Sequence, residues 1–287
     1  MGLGHKNTKI FLLFSLASGF IFLLWNLLQG QNIQLFNPQG IIARQQMELI
    51  ITATLLMLVV VLPVIVMTFY ISWKYRAQRK EEYAPNWDRD PKLQLVWWGF
   101  PALIIIAIAA MTWQSSHALD PYKRIENNTK PITIQVVALE WKWLFIYPEQ
   151  KIATVNYLEI PQKTPVHLEL TADAPMNSFW IPQLGGQMYA MAGMATKLNL
   201  MADTTGEFPG SAAEINGKGF SGMNFLTKST TKNEFDTWVL SVKKSSEPLT
   251  QDKYNELSKP SENNARAFYA SAEHDLFNSI IMKYMNP

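Results

Sequence analysis

The stretch LIITATLLMLVVVLPVIVMTFYISW, residues 49–73, carries no charge and is interrupted only by Thr, Ser and Pro63. A second uncharged run covers 93–114 and contains Pro101. A bilayer core of about 30 Å needs roughly 20 apolar residues in a helix, and a buried core helix rarely runs so long without a charge. Neighbouring helices can satisfy the carbonyls that the prolines free. The sequence therefore predicts a transmembrane hairpin within 32–115, with spans at about 47–73 and 93–114.

Basic residues are concentrated in the link between the two spans. Between the apolar run 10–30 and the run 49–73 the only basic residue is Arg44, whereas the link holds Lys74, Arg76, Arg79, Lys80, Arg89 and Lys92. The positive-inside rule places such a link in the cytoplasm. Everything after about residue 116 is then expected outside the inner membrane, which is the periplasm in a bacterium.

The apolar run 10–30 has two interpretations. Lys6 and Lys9 precede it, as in a secretory signal. It ends in LLQGQ, residues 27–31, which is similar to a lipoprotein cleavage box with Gln31 where the acylated Cys would stand. Without that thiol there is no site for lipid attachment. We predict that the signal-like segment 1–31 is retained as a transmembrane helix, the alternative being cleavage by another peptidase.

The pattern changes from helical to extended after Pro131. The runs 132–139, 166–171 and 197–201 are rich in β-branched residues or alternate apolar with polar residues, which is typical of strands. Prolines separate these runs. Several short strands with Pro and Gly turns predict a β-sandwich or barrel over 116–231.

The last segment, 232–287, is predicted to be a helical extension rich in aromatic residues. Apolar residues recur at helical spacing after Lys232. They are Phe235, Trp238, Val239 and Val242, followed by Phe268, Tyr269, Leu276, Phe277, Ile280, Ile281 and Tyr284.

Composition excludes some functions. The net charge of +2 is too small to indicate nucleic-acid binding. The chain has no Cys, which excludes a disulfide framework and thiolate chemistry.

Two motifs resemble the dinuclear-copper site of cytochrome oxidase subunit II, but with its ligands replaced. Residues 212–223, AAEINGKGFSGM, fit the frame C-x-E-x-C-G-x-x-H-x-x-M, and NSFWIP, residues 177–182, is similar to H-S-F-x-I-P. A copper–thiolate centre needs Cys sulfur and imidazole nitrogen. The thiolate positions hold Ala212 and Asn216, the imidazole positions hold Asn177 and Phe220, and only Glu214 and Met223 match the family.

The resemblance extends over nearly the whole chain. It includes PNW at 85–87, ITI at 132–134, WKWLFIYPEQ at 141–150, YAMAGM at 189–194 and GFSGM at 219–223. The replaced ligands make the chain similar to the quinol-oxidising branch of the haem-copper oxidases, the cytochrome bo-type ubiquinol oxidases. The resemblance implies a membrane α-helical hairpin, an all-β cupredoxin-like periplasmic domain and a short helical C-terminal tail.

The resemblance also implies an accessory role. The family complex oxidises ubiquinol, reduces O₂ to water and pumps protons. We expect no catalytic residue, metal or cofactor in this chain, with haem, copper and ubiquinone in the partner subunit I. Subunits III and IV and membrane lipid are the other expected partners, in a bacterial inner membrane. Two alternatives remain: a copper-bearing cytochrome c oxidase subunit II, and a membrane-tethered periplasmic module outside respiration.

Some single residues admit a second interpretation. Met188, Met191 and Met194 could bind Cu(I), although Met more often fills gaps. Trp141 and Trp143 match the region where cytochrome c donates electrons in copper-bearing relatives, but packing is expected here. The family usually has a Glu at a proton-pathway mouth where this chain has Gln94, which cannot release a proton. Either the pathway opens elsewhere in this protein, or one of the nearby acidic residues Glu81, Glu82, Asp88 and Asp90 gathers protons. The scattered His5, His117, His167 and His274 are expected to be structural or exposed.

Overall fold

A computed structural model describes residues 19, 33–76, 90–245, 247–273 and 275–285. The prediction that segment 1–31 is retained as a transmembrane helix lies outside the described residues, apart from Gly19. The link positions 81, 82 and 88, and the histidines at 5 and 274, lie outside them as well.

Two long helices form the predicted hairpin. Helix α1 covers Ile41–Lys74 and helix α2 covers Pro91–Ala118, and both are long and apolar enough to cross a membrane. Helix α2 begins at Pro91, which is suited to a first helical position, and the Asp90 carboxylate accepts a hydrogen bond from the Lys92 amide at 2.8 Å. Pro63 and Pro101 lie inside α1 and α2, as expected from the sequence.

A β-sandwich follows the hairpin. Its strands are β1 Ile132–Leu139, β2 Lys142–Tyr147, β3 Ile152–Val155, β4 Tyr157–Pro161, β5 Val166–Ala172, β6 Asn177–Trp180, β7 Met188–Ala190, β8 Thr196–Leu200, β9 Gly206–Ala212, β10 Asn224–Thr230 and β11 Ala267–Tyr269. The first sheet has the order β11-β3-β2-β1-β5-β8, and the second has the order β4-β10-β9-β6-β7. Neighbouring strands are antiparallel except for the parallel pairs β1–β5 and β4–β10.

An aromatic cluster fills the space between the two sheets. The rings of Phe179 and Phe225 stack with centroids 4.8 Å apart, and the Trp143 ring meets Phe179 edge-on at 5.2 Å. Phe145 packs on Phe225 at 5.3 Å. Aromatic burial of this kind contributes strongly to core stability. The cluster packs on both β6, which begins with Asn177, and β10, which directly follows the copper-loop segment 212–223. It therefore holds these two strands in position.

The hairpin is joined to the sandwich at the start of α1. The Gln39 amide donates to the Gln183 carbonyl at 2.7 Å, and Gly40 forms a β-bridge with Ala202. A Cβ atom on Gly40 would lie 2.7 Å from the Met201 carbonyl oxygen, so this close approach requires glycine.

The C-terminal extension contains helices α3 Lys232–Ser245, α4 Gln251–Leu257 and α5 Leu276–Met285. The prediction of helix for Phe268 and Tyr269 is wrong, because they belong to β11, which pairs with the free edge of β3. Three residues are too few for periodicity to distinguish strand from helix. The extension covers the outer face of the first sheet, where its buried Leu249, Tyr254, Leu276, Phe277 and Ile280 contact Val137, Leu139, Leu144 and Ile146.

Candidate functional site

Asn177 and Met223 contact each other at the centre of the predicted site. Asn177 begins β6 and is fully buried. Its Nδ2 atom donates to the Met223 sulfur at 3.4 Å, and its Oδ1 atom accepts from the Ser178 amide at 2.7 Å. The fold therefore brings together the positions of the first imidazole ligand and the thioether ligand.

Ala212 lies beside this pair at the end of β9. Its amide donates to the Met223 carbonyl at 3.0 Å, and the Ala213 amide donates to the Ser178 carbonyl at 2.8 Å. Strand register places Ala212 opposite Phe179 on β6. These bonds hold the loop against β6 without any metal ligand.

The rest of the loop is a tight turn. The Phe220 amide donates to the Gly217 carbonyl at 3.3 Å, and the Met223 amide donates to the Phe220 carbonyl at 3.0 Å. Gly217 has φ +120°, which favours glycine. The Phe220 side chain is half-buried and packs on the sandwich core, at the position of the second imidazole.

The Trp141 ring packs on the outer side of this loop. A Cβ atom on Gly219 would lie 2.4 Å from the Trp141 ring, so the ring lies directly on the loop backbone. Trp141 itself has φ +61°, which is uncommon for a bulky residue. Its Nε1 atom and the Oδ1 atom of Asn216 are buried without a hydrogen-bond partner among the described residues. Trp143 lies deeper, in the aromatic core.

The donor atoms at this site do not fit a copper–thiolate centre. Ala212 and Phe220 offer no ligand atom, and amide oxygens such as those of Asn177 and Asn216 suit hard cations. Glu214 is half-buried and Met223 supplies one soft thioether. Over the described residues there is no group of three or more His, Cys, Asp or Glu that could hold a metal.

The other predicted candidates are dispersed. Met188 packs on the core and Met194 is exposed, while the Met191 carbonyl accepts from the Thr171 hydroxyl at 3.2 Å. Gln94 lies in the first turns of α2, with its amide bonded to the Asp90 carbonyl at 3.0 Å.

The two histidines among the described residues lie on different elements. His117 packs against Trp113 within α2, with the two rings tilted by 42° and their centroids 4.6 Å apart. The His167 Nδ1 atom, on β5, lies 2.9 Å from the Asn199 Oδ1 atom. The dispersed positions of the two rings do not suggest a shared metal site.

Asp173, which was not predicted from the sequence, holds the C-terminal extension on the sandwich through hydrogen bonds. Its side chain is 1% exposed and accepts from Tyr254 Oη at 2.6 Å, Lys283 Nζ at 2.6 Å and Tyr284 Oη at 2.7 Å. The hydrogen bond to Asp173 raises the pKa of Lys283, and burial raises the pKa of Tyr254. Nothing in a lone Asp after a strand predicts partners 81 to 111 residues away in the sequence.

Glu159 was also not predicted, although it is a buried carboxyl group. It is 3% exposed on β4 under helix α3. Tyr157 Oη donates to it at 2.6 Å and Thr230 Oγ1 at 3.2 Å. Burial raises the pKa of Glu159 above its ordinary value, despite these two hydrogen bonds. The one available signal was a charge within an apolar strand.

Two family models and several close relatives show which protein family this chain belongs to. Residues 149–230 match the family model described as cytochrome c oxidase subunit II, periplasmic domain, and 243–287 match the COX aromatic rich motif. The cytochrome bo(3) ubiquinol oxidase subunit 2 of Pseudomonas putida is 51% identical over 90% of this chain and 82% of its own length. The ubiquinol oxidase subunit 2 of Acetobacter aceti is 46% identical over 91% of this chain and 85% of its own. The chain therefore belongs to the cytochrome bo-type ubiquinol oxidase subunit II family.

Membership confirms the predicted family and fold class. The chain is a membrane-anchored subunit of a haem-copper quinol oxidase, with two apolar helices, a cupredoxin-like sandwich and a short C-terminal helix.

Proposed function

We propose that this chain is an accessory subunit of a proton-pumping oxidase that oxidises ubiquinol and reduces O₂ to water, and that it carries no redox centre of its own. The observation that carries the proposal is the Asn177–Met223 contact, with Ala212 and Phe220 beside it. Electron transfer through a copper–thiolate centre needs ligand atoms that these residues lack.

The role that remains is structural. The loop is held by backbone hydrogen bonds, by the Phe220 side chain and by the Trp141 ring, so the sandwich keeps its shape without copper. In this proposal the hairpin anchors the chain beside subunit I, which holds the haem, copper and ubiquinone. Subunits III and IV complete the complex.

The proposed orientation places the sandwich in the periplasm and the complex in a bacterial inner membrane. The six Lys and Arg of 74–92 support it, because cytoplasmic loops carry such an excess.

A gentle detergent pull-down of the full chain tests the proposal. We expect co-purification with a haem-bearing subunit and quinol oxidase activity in the eluate, read by reduced-minus-oxidised haem spectra. Recovery of the intact chain from its native membrane without any haem protein would contradict it and favour a module outside respiration.

A further inference from the structure

Two adjoining cavities lie where the hairpin meets the sandwich. One has a volume of about 340 Å³ and lies between the start of α1 and the segment after α2. The other has a volume of about 700 Å³ and lies between α1 and α2. Because Gln46, Leu119, Gly186 and Gln187 line both, the two cavities form one continuous groove, here named the junction groove.

The end of the junction groove between the helices is apolar. Leu49 and Ile50 of α1 face it, together with Met111 and Thr112 of α2 and Leu35 of the preceding turn. Among the residues that the structure describes, no charged side chain lines this part. Its volume is within the roughly 300–1,000 Å³ typical of ligand pockets, and its lining suits a hydrocarbon chain.

The other end of the junction groove carries both signs of charge. Lys123 and Arg124 line it together with Asp120 and Glu126, and all four are exposed. These residues follow the last turn of α2. Because a helix of this length crosses the bilayer core of about 30 Å, we expect lipid headgroups beside the residues that follow it. Two cations and two anions match a headgroup that itself has one charge of each sign.

The polar end is fastened to the sandwich. The Asn199 amide and the Asn199 Nδ2 atom both donate to the Pro121 carbonyl, at 3.2 Å and 2.9 Å. On the opposite side, the Ala43 amide donates to the Leu184 carbonyl at 3.3 Å. These hydrogen bonds hold the two walls of the groove in place, which lowers the cost of binding.

We propose that the junction groove binds one phospholipid with a phosphate and a primary ammonium in its headgroup, as in phosphatidylethanolamine. The acyl chain lies between α1 and α2, the phosphate faces Lys123 and Arg124, and the ammonium faces Asp120 and Glu126. Basic pockets beside transmembrane helices bind phosphate headgroups by the same attraction. The site goes beyond the proposed function, because it requires the hairpin in a membrane but no quinol.

Native mass spectrometry of the assembled complex tests the site, using bicelles of phosphatidylethanolamine mixed with phosphatidylglycerol. We expect one tightly retained phosphatidylethanolamine. The double variant K123E/R124E should lose it, and so should Ser115→Trp, which fills the apolar end. The charge-matched control K243E/K244E changes exposed lysines on α3 and should retain it. Unchanged retention in both groove variants, or equal retention of phosphatidylglycerol, would overturn the proposal.

A photocrosslinking residue at Ser116, on the rim of the groove, identifies the occupant in the full complex. A phospholipid adduct is the expected product. An adduct with residues 10–30 of this chain or with another subunit would overturn the proposal, since the groove would then hold protein. Absence of any adduct would also count against it.

Discussion

At the scale of single residues, Glu159 makes stability depend on pH. Its carboxyl group is buried, and burial raises its pKa. The folded state therefore holds the proton more tightly than the unfolded chain, whose Glu pKa is about 4.3. Stability is greatest with Glu159 protonated and falls as pH rises from the unfolded pKa through the raised folded pKa. Lys228 and Glu234 also act on this group, in opposite directions.

The variant Glu159→Gln should remove this pH dependence. Its amide can still accept from Tyr157 and carries no charge to desolvate, so the variant should lose less stability between acid and neutral pH. Chemical unfolding of the full chain in detergent at a series of pH values measures the slope. Glu262→Gln, an exposed control, should leave the slope unchanged. The same slope in Glu159→Gln and wild type would contradict the assignment.

Asp173→Ala should loosen the C-terminal extension. The change removes the acceptor of three hydrogen bonds and leaves the Tyr254 hydroxyl buried without a partner, at an expected loss of about 2–3 kcal/mol. Hydrogen exchange of 276–285 should rise in parallel. The control Asp236→Ala breaks an exposed pair with Lys232 and should cost under about 1 kcal/mol. Unchanged protection of 276–285 in Asp173→Ala would show that the apolar contacts alone hold the helix.

Restoring the four ligands should recreate a copper site in part. The variant carries Asn177→His, Ala212→Cys, Asn216→Cys and Phe220→His on a backbone that already places residues 177, 212 and 223 together. We expect copper uptake with thiolate-to-copper absorbance in the full chain. The matched double variant with only the two histidines should show no such absorbance. Failure of the folded four-residue variant to bind copper would mean that the loop has lost the required geometry.

At the scale of elements, the proposed docking of the hairpin against subunit I through its less bulky faces can be tested. We predict that these faces include Gly99, Ala102, Ala109 and Thr112 on α2, and Thr52, Ala53 and Pro63 on α1. Membrane helices associate by close packing and interhelical polar contacts, so bulk at such a face is costly.

Ala109→Trp should therefore lower the yield of assembled oxidase, and Leu103→Trp, at a large exposed residue of the same helix, should lower it less. Quantitative haem recovery after purification measures the yield. Equal yields for wild type and Ala109→Trp would show that Ala109 does not face subunit I.

Sequence patterns predicted the regular elements well and the long-range contacts poorly. The helices α1, α2 and α3 and the strands β1, β5 and β8 follow from apolar runs and alternation, which are local signals. Strand β11 was missed because its only reason to be extended is the free edge of β3, more than a hundred residues earlier.

The same distinction applies to the candidate site. The motif frames showed that four residues stand at the copper-ligand positions: Asn177, Ala212, Asn216 and Phe220. Their arrangement did not follow from these frames: the Asn177–Met223 contact and the Trp141 ring on Gly219 depend on how β6, β9 and the loop pack together. The burial of Asp173 and Glu159 has the same origin, because their partners are distant in sequence.

At the scale of the whole molecule, the chain combines a membrane anchor, a sandwich and a covering extension. The sandwich retains the copper-loop backbone, while hydrogen bonds and aromatic packing occupy the place of the ligand bonds. Under the proposed function the sandwich transfers no electrons, because it carries no redox centre.

The copper content of this subunit, measured in the purified active oxidase, tests that claim most directly. We expect no copper assignable to this chain after separation from subunit I, and no near-infrared absorbance of a dinuclear centre in the oxidised complex. Stoichiometric copper in this chain, with such an absorbance that disappears on reduction, would contradict it.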